Sequence, residues 1–424
     1  MRVALLLVAL GASCCASEPP PSEPAPPERP PNIVLIVSDD QRWTDYGFMG
    51  HEHIRTPHLD RLAAESLVFR RGYVTASLCR PSLATMVTGL YPHQHKLTSN
   101  DPPKGQPREV LTRHIDAVPT LPQLLAGRGY VSFQSGKWWE GSYERGGFTH
   151  GMTRGDRHGD DGLVIGRESL EPLFTFVDDA VEEEQPFFVW YAPFLPHQPH
   201  DPPARLLERY EAVAPSANHA RYWAMCEWFD ETCGQLLEFL DERGLSEGTL
   251  VLFVCDNGWI PLEDSRRFAP RSKRSPYDGG LRTPILVRWP ASPRGSAPGE
   301  SSALASSIDL APTILTAAGL RSTPAMQGVD LLDARALAQR ATIFGDVYAH
   351  DAVDPDDPVS SLRYRWCVED RWKLILPHGG NEEAQLYDVV ADPLEEHDRA
   401  AEQPARVETL TKRIDAWWPA RSPR

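Results

Sequence analysis

The sequence is poor in cysteine, has no long hydrophobic run and carries less positive than negative charge. Its 424 residues include seven cysteines, and the five beyond residue 15 are odd in number and lack metal-binding spacing. A disulfide framework is therefore not expected in a chain of this size. Lys and Arg number 43 against 59 Asp and Glu, which gives a net charge of −16. Because nucleic acids and anionic membranes bind basic faces, neither is expected as a general partner, although a local cluster of Lys and His can still bind an anionic substrate.

What the chain does contain is enough for a large folded core. Hydrophobic residues make up 41% and charged residues 24% of the sequence, which excludes a wholly disordered or fibrous protein. The length suits either about two to three domains or one large α/β domain with a small appendage.

The first 31 residues have the composition of an export signal and a tether. A basic residue precedes an apolar run, Val3 to Leu10, and small residues follow up to Cys14 and Cys15. This pattern predicts a secretory signal over residues 1–15, whose apolar run is too short to span a bilayer as a helix. Residues 16–31 are so rich in proline that an extended tether is expected. Lipidation of Cys14 or Cys15 and simple cleavage are both open, so we expect an exported protein, periplasmic or extracellular, with or without a lipid anchor.

Four continuous apolar runs predict strands that are buried on both faces. They are rich in β-branched and aromatic residues, and polar residues follow each of them. The predicted strands are Asn32 to Ser38, Tyr130 to Phe133, Phe187 to Tyr191 and Thr249 to Cys255. Helical patterns lie between them, over Leu59 to Phe69 and over Tyr222 to Leu240 with Gly244 as its stop. We therefore predict the α/β class, with a large, mostly parallel sheet sandwiched by helices.

The last part of the chain has a different pattern. Two short runs that flank a Glu-Asp-Arg turn predict an antiparallel hairpin, and a further strand and a helix are expected after it. These elements are Leu362 to Val368, Trp372 to Leu376, Gln385 to Val390 and Val407 to Trp418. We predict a main domain over residues 32–345 and a small C-terminal α+β subdomain over residues 346–424.

Acidic and amide side chains follow two of the predicted strands directly. Asp39-Asp40 ends the first strand and Asp256-Asn257 ends the last, and in open parallel sheets such strand ends meet at one edge. Three carboxylates brought together there would repel one another unless a cation lay between them. All four side chains offer oxygen, which favours Ca²⁺ or Mg²⁺ over Zn²⁺. Either pair alone is better explained by strand-end caps and turns, but the two together favour a metal site with Asp39, Asp40, Asp256 and Asn257 as ligands.

Four more residues are candidates for chemistry. Cys79 lies just before a predicted helix that ends at Gly89, where the helix dipole attracts anions and lowers the pKa of a thiol. Lys137 and His197 follow the two remaining strands, and the prolines around His197 suit a rigid loop that aims an imidazole as a general acid. Lys273 precedes a sharp turn. For each residue taken singly, a buried cysteine, a surface histidine or a solvated lysine is the simpler alternative.

In this order along the chain, the motifs resemble those of the formylglycine-dependent sulfatases of the alkaline-phosphatase superfamily. The likeness runs from about Asn32 to the tail. It rests on Asp39-Asp40, Cys79-x-Pro81-Ser82 with Thr88-Gly89, Gly136-Lys137-Trp138, Pro196-His197-x-Pro199, Asp256-Asn257-Gly258, Lys273 with Tyr277-Asp278-Gly279-Gly280, and Leu386-Tyr387-Asp388 with Asp392-Pro393. One such match is weak, whereas this many in order along most of the chain are specific.

The resemblance implies a sulfuric ester hydrolase with an alkaline-phosphatase-like fold. By that likeness a formylglycine-generating enzyme oxidises Cys79, and the aldehyde hydrate at this position is both the nucleophile and a ligand of the cation, which in the family is Ca²⁺. In-line attack on sulfur leaves a covalent sulfate on residue 79. His197 and Lys273 bind the ester and protonate the leaving alcohol, while Lys137 steadies the hydrate. The second hydroxyl then expels sulfate and regenerates the aldehyde.

Two positions depart from the family pattern. Leu83 stands where the signature has Arg, and Trp139 stands where Gly-Lys-Trp is followed by His. Loss of a polar group beside a nucleophile costs about 100-fold or more in rate. Arg80 is a candidate substitute, although it would point differently. Two alternatives to a sulfatase therefore stay open: a phosphonate or phosphodiester hydrolase on the same scaffold, and a non-catalytic descendant that binds sulfated carbohydrate.

Substrate signals in the sequence are weak. Trp43, Trp138 and Trp139 flank the predicted site loops, and aromatic faces suit sugar rings, which favours a sulfated carbohydrate. The charged segment Arg154 to Asp161 is either a specificity loop or, more simply, a solvated loop.

Overall fold

The computed structural model describes residues 30–292 and 297–421. The predicted signal, its two cysteines and all but the last two residues of the predicted tether lie outside these residues. Among the described helices, none combines the length and the apolar character needed to cross a membrane.

Thirteen strands and twelve α-helices follow one another along the described residues. The strands are β1 (Asn32–Ser38), β2 (Leu67–Tyr73), β3 (Val131–Gly136), β4 (His150–Gly151), β5 (Phe187–Ala192), β6 (Thr249–Cys255), β7 (Arg282–Arg288), β8 (Gly299–Ser301), β9 (Ala305–Ser306), β10 (Thr342–Tyr348), β11 (Leu362–Glu369), β12 (Trp372–Pro377) and β13 (Gln385–Asp388). The α-helices are α1 (Pro57–Ala64), α2 (Cys79–Thr88), α3 (Pro92–His95), α4 (Glu109–Thr112), α5 (Leu121–Ala126), α6 (Glu171–Glu182), α7 (Ala204–Tyr210), α8 (Ala217–Glu242), α9 (Asp278–Leu281), α10 (Leu310–Ala317), α11 (Ala334–Gln339) and α12 (Pro404–Trp417). Short 3-10 helices lie at Gly47–Met49, Arg113–Ala117, Tyr143–Gly146, Arg157–Val164, Ser307–Asp309 and Pro358–Ser361.

A nine-stranded sheet forms the centre of the main domain. Its order is β4-β3-β5-β1-β6-β7-β2-β8, and β9 adds to β2. The strands from β4 to β6 pair in parallel. β7 is antiparallel to both of its neighbours, β6 and β2, and β8 and β9 are parallel to β2. The predicted α/β class with a large, mostly parallel sheet is confirmed.

Each face of this sheet has its own hydrophobic core. Alternate residues of β1 point to opposite sides, so that Ile33 and Leu35 join the core under α2, α5 and α10, whereas Val34 and Ile36 join the core under α1, α6 and α8. Because both faces are covered, the strands β1, β5 and β6 are apolar at nearly every position, which explains the continuous runs in the sequence. β1 and β6 pair along their whole length.

One predicted helix is wrong over its last residues. The helix predicted from Leu59 to Phe69 ends at Ala64, and Leu67 already belongs to β2. Leu67 pairs with Val287 of β7 in the sheet. Strand pairing with a distant segment outweighs a helical periodicity that continues past the end of α1. The other predicted strands and helices are present with ends shifted by a few residues.

A second, smaller sheet lies at the C-terminal end. Its four strands are antiparallel in the order β10-β11-β12-β13, and α12 packs on it, which confirms the predicted α+β character of this part. β10 spans the predicted domain boundary between residues 345 and 346. Lys373 of β12 donates a hydrogen bond to Asp278 of the main domain at 2.7 Å, and both side chains are buried. The two parts of the chain therefore meet through a buried ion pair.

Candidate active site

The loops at one edge of the large sheet carry the candidate residues. Parallel strands end at the same edge, and β2 has the direction of β6 because β7 between them is antiparallel to both. These loops and the start of α2 carry Lys137 after β3, His197 after β5, Asp39-Asp40 after β1, Asp256-Asn257 after β6 and Cys79 after β2. Lys273 arrives at the same edge from the segment that precedes β7.

The two strand-end pairs contact each other. The backbone N–H of Asp40 donates to Asp256 Oδ1 at 3.0 Å, and the side-chain amide of Asn257 donates to Asp40 Oδ1 at 2.6 Å. Three oxygens, Asp39 Oδ2, Asp256 Oδ2 and Asn257 Oδ1, are buried without a hydrogen-bond partner among the described residues. Buried polar atoms normally have partners, so these oxygens mark a place for a group that binds them.

This oxygen set fits a hard divalent cation. Ligand atoms of Asp39 and Asp40 lie within 4.8 Å of one another and of Cys79 and His197, and the two hydrogen bonds to Asp40 bring Asp256 and Asn257 to the same place. Burial raises the pKa of Asp39 well above its usual value; Lys137 opposes this shift, and the carboxylates of Asp256 and Asp40 add to it. A cation among these carboxylates would remove their mutual repulsion, and oxygen ligands without sulfur or nitrogen in the strand-end pairs suit Ca²⁺ or Mg²⁺.

Two buried lysines neutralise part of the negative charge. Lys137 Nζ donates to Asp39 Oδ1 at 2.6 Å. Lys273 Nζ donates to both oxygens of Asp40, at 2.7 and 2.8 Å, and to Cys79 Sγ at 2.9 Å. Burial opposes charge on both lysines, but the neighbouring carboxylates raise the pKa of each above its usual value. Both are therefore charged and offset two of the three negative charges that the carboxylates carry when they are ionised.

Cys79 is the first residue of α2 and is 1% exposed. Gly89, with φ +66°, caps the other end of the helix in the left-handed conformation that glycine allows. Burial raises the pKa of the Cys79 thiol to about 12, even though Lys137 and Lys273 lower it. For the unmodified residue this favours the alternative of a buried cysteine over a thiol activated by the start of the helix, because loss of water outweighs the favourable charges of the two lysines.

His197 is held by its backbone and by an aromatic ring. Its Nδ1 donates to the Gln198 carbonyl at 2.5 Å, and its Nε2 lies 3.3 Å from Asp40 Oδ2. Phe194 stacks on the imidazole with ring centres 4.3 Å apart. Burial, with the charges of Lys137 and Lys273, lowers the pKa of His197 well below its usual value. The resting ring is therefore neutral and presents a bare Nε2 to the site.

Arg80 does not take the place of the arginine that the family pattern has at Leu83. Its guanidinium forms a buried pair with Glu140, at 2.7 and 2.5 Å, and donates to Thr112 at 3.0 Å. The guanidinium of Arg80 therefore pairs with Glu140 and makes no hydrogen bond with the Cys79 sulfur. Leu83 itself is 3% exposed and belongs to the hydrophobic core on that face of the sheet.

Two residues of the site have no motif of their own in the sequence. His158 lies in the charged segment 154–161, and its ring centre is 5.7 Å from that of His197. The sequence shows that this segment is rich in charged residues, but it does not show which of its side chains turns towards the site. Trp259 follows Asn257-Gly258 directly, and its ring lies 5.8 Å from Lys273 Nζ. Proximity to the strand-end motif is the signal that could have indicated Trp259.

Comparison with known proteins gives one consistent family. The sulfatase family model matches residues 31–320, and a model for the C-terminal part of N-sulphoglucosamine sulphohydrolase matches residues 269–416. Arylsulfatase A of Homo sapiens is 31% identical over 339 residues, which cover 67% of this chain and 63% of that protein. N-acetylgalactosamine-6-sulfatase of Canis lupus familiaris is 28% identical over 347 residues, which cover 71% of this chain and 65% of that protein. The chain thus spans slightly less than two thirds of the length of these two relatives.

Solved structures share the fold. Ps i-CgsB in complex with k-i-k-neocarrahexaose superposes with a TM-score of 0.74 at 22% identity, covering 93% of this chain and 94% of that chain. The phosphonate monoester hydrolase of Agrobacterium radiobacter superposes with a TM-score of 0.64 at 18% identity, covering 92% and 96%. At these identities the likeness shows the fold alone.

Proposed function

The chain belongs to the sulfatase family of the alkaline-phosphatase superfamily, and from that premise we propose that it is a sulfuric ester hydrolase. In this proposal it cleaves a sulfate monoester to an alcohol and sulfate. Cys79 is the precursor of a formylglycine nucleophile. Asp39, Asp40, Asp256 and Asn257 bind a divalent cation, Ca²⁺ or Mg²⁺ by the chemistry of the ligands and Ca²⁺ by the family resemblance.

The observation that carries the proposal is the position of Lys273 between Asp40 and Cys79. One ammonium group donates to both oxygens of Asp40 and to the Cys79 sulfur, beside three unpartnered oxygens of the metal-binding candidates. Each buried charge in this group is unfavourable unless it is paired. If the site had lost its catalytic function, selection would not maintain two buried lysines and three buried carboxylates together.

Formylglycine at position 79 would supply an aldehyde hydrate as the nucleophile, and a cation would lower the pKa of that hydrate and polarise the ester. The unmodified thiol of Cys79 is poorly suited to the same task. Burial raises its pKa to about 12, which disfavours the thiolate that a cysteine nucleophile needs.

The lysines and the histidine would act on the ester itself. Lys137 and Lys273 are charged, are fixed by ion pairs and both act electrostatically on residue 79, where negative charge develops on the sulfuryl oxygens during attack. His197 Nε2 would give a proton to the leaving alcohol oxygen as its bond to sulfur breaks, because Nδ1 is engaged by the Gln198 carbonyl. A bound anionic ester favours the protonated imidazole that this step needs.

We propose a sulfated carbohydrate as the substrate class. The names of N-acetylgalactosamine-6-sulfatase and of Ps i-CgsB in complex with a neocarrahexaose support a sugar substrate. Maturation would require a formylglycine-generating enzyme as a partner. Export to the periplasm or the cell exterior, with or without a lipid anchor, stays a proposal that rests on the sequence of residues 1–31.

Mass spectrometry and a matched pair of esters test the proposal. In protein from the native host, the Cys79 peptide is expected to carry formylglycine. The protein is expected to hydrolyse an aryl sulfate faster than an aryl phosphonate with the same leaving group, and Cys79→Ala is expected to remove this turnover while the protein stays folded. Faster phosphonate turnover would favour the phosphonate or phosphodiester hydrolase. An unmodified thiol, with binding but no cleavage of sulfated oligosaccharides, would favour the non-catalytic alternative.

A further inference from the structure

Residues 154–161 form a closed loop beside the candidate active site. The carboxylate of Asp160 accepts four backbone N–H groups of this same loop, at distances from 2.6 to 3.0 Å. Charge-assisted hydrogen bonds of this kind hold the backbone in one conformation. Most side chains of the segment, among them Arg154, Arg157 and Asp161, are exposed, as the solvated-loop alternative expects, whereas its backbone is fixed by Asp160.

The loop is also joined to the strand end that carries Lys137. The backbone N–H of Trp138 donates to the His158 carbonyl at 3.0 Å. Gly159 packs against Gly136 so closely that a Cβ atom on Gly159 would lie 2.4 Å from the Gly136 carbonyl oxygen. The position of His158 is therefore set by the same backbone that sets the position of Lys137.

The side chain of His158 lies among residues of the site. Its ring centre is 4.5 Å from that of Trp139, 5.4 Å from that of Phe194 and 5.7 Å from that of His197. The residue has φ +70°, a left-handed conformation that is unfavourable for residues other than glycine. Such conformations persist where the surroundings impose them and are frequent at functional sites.

The hydrogen bonds of His158 define its tautomer. Arg157 Nη1 lies 2.8 Å from His158 Nε2, and because a guanidinium can only donate, Nε2 must be the acceptor. The ring proton is then on Nδ1, which makes no hydrogen bond with any described residue. Arg157 is itself held by two hydrogen bonds to the carboxylate of Asp101, at 3.0 and 2.9 Å.

The surroundings of His158 are positively charged. Burial, followed by the charges of Lys137, Arg157 and Lys273, lowers the pKa of His158 to about 2. The ring therefore stays neutral at physiological pH. It can present a donor N–H to an anion without adding a charge that the neighbouring lysines would repel.

We propose that His158 contacts the substrate, its Nδ1–H donating a hydrogen bond to a sulfuryl oxygen of the ester, and that Arg157, held by Asp101, positions the ring for this bond. The inference rests on the proposed function and adds one residue to the machinery of the same site. The neutral imidazole lies against Trp139, at the position where the sequence replaces a polar residue of the family pattern by an apolar one.

Kinetics of His158→Gly and His158→Asn test the proposal. Glycine removes the ring and tolerates the positive φ, so the backbone carries no new strain. Loss of one hydrogen bond to a charged ligand is expected to lower kcat/KM of His158→Gly by about 10- to 100-fold. Asparagine also tolerates this φ and keeps an N–H donor, so it should retain more activity. Added imidazole should restore part of the activity of His158→Gly. His150→Gly, which removes an exposed histidine at β4, is the matched control and should behave as the wild type.

Binding of inorganic sulfate, measured by titration calorimetry, separates this inference from the proposed function. If the wild type hydrolyses no sulfate ester, the proposed function fails, while weaker sulfate binding by His158→Gly than by the wild type would still support the contact. Wild-type kcat/KM and sulfate affinity in His158→Gly would overturn the inference. A loss that is equal in the Gly and Asn variants and insensitive to imidazole would also overturn it, because that pattern indicates collapse of the loop.

Discussion

Replacing Lys373 with methionine should destabilise the junction between the two sheets. Lys373 Nζ lies 2.7 Å from Asp278 Oδ1 and 2.8 Å from Glu395 Oε1, and all three side chains are at most 1% exposed. The second oxygen of Glu395 accepts the backbone N–H of Asp278 at 2.6 Å. The turn that begins at Asp278 in turn supports the metal-binding candidates, because the Gly280 carbonyl accepts the backbone N–H of Gly258 at 2.9 Å.

The size of the expected destabilisation follows from the two carboxylates, Asp278 and Glu395, that the variant would leave without their lysine. Removing one partner of a buried ion pair costs about 3 to 5 kcal/mol in the free energy of unfolding. Protonation of Glu395 offsets part of this cost, because burial already raises the pKa of Glu395 to about 7 although Lys373 lowers it. When a carboxyl group has a higher pKa in the folded than in the unfolded state, the free energy of unfolding of the protein falls as the pH rises. The deficit of Lys373→Met should therefore grow by about 1 to 2 kcal/mol between about pH 6 and about pH 8.

Urea unfolding followed by tryptophan fluorescence measures this deficit at the two pH values. Lys373→Met with Glu395→Gln should recover part of the stability, because the double variant removes one of the two unpaired charges. Lys412→Met is the matched control. Its ion pair with Glu408 is exposed, so we expect a change below about 1 kcal/mol. A deficit below about 1 kcal/mol for Lys373→Met at about pH 8 would refute the reasoning.

The remaining predictions concern the cation, a buried histidine and the ion pair of Arg80. Chelation with EDTA should lower the melting temperature of the wild type and have a much smaller effect on Asp256→Asn, because a cation that binds the folded protein stabilises it; equal shifts would contradict the metal site. Burial lowers the pKa of His95 to about 3, so the unfolded chain alone binds its proton as the pH falls below about 6.5, and stability is lost by up to about 1.4 kcal/mol per pH unit. His95→Gln should flatten this loss in urea unfolding at acidic pH, and parallel curves would count against it. Arg80→Leu should cost about 3 to 5 kcal/mol because it leaves Glu140 buried alone, whereas Arg80→Leu with Glu140→Leu should recover most of that loss; additive effects would exclude the coupling.

The central strands could be predicted because their environment constrains every residue. β1 and β6 begin and end where the apolar runs begin and end in the sequence. The helix predicted through Phe69 is the informative error, because nothing local separates a helical periodicity from a strand that pairs with β7 more than two hundred residues later. The strands β4, β8 and β9 have two or three residues each, too few to show a pattern.

The candidate site could be predicted as a set of residues, but not as an arrangement. Polar residues that follow buried strands indicated Asp39, Asp40, Asp256 and Asn257, because parallel strand ends share one edge. Lys273 was predicted from a turn and from the family resemblance. Its contact with the Cys79 sulfur depends on the connection between β6 and the antiparallel β7, which stays at this edge because β6 ends and β7 begins there.

By itself, the sequence determined which segments form the centre of the sheet and which polar residues stand at its edge. Burial on both faces requires continuous apolar runs, and polar side chains can follow only where the chain leaves the core. The tertiary structure alone decided that Arg80 turns to Glu140, that His158 faces the site and that burial raises the pKa of the Cys79 thiol. These properties depend on distances between segments remote in sequence and on the balance of burial against charge, and neither quantity is present in any local stretch of the chain.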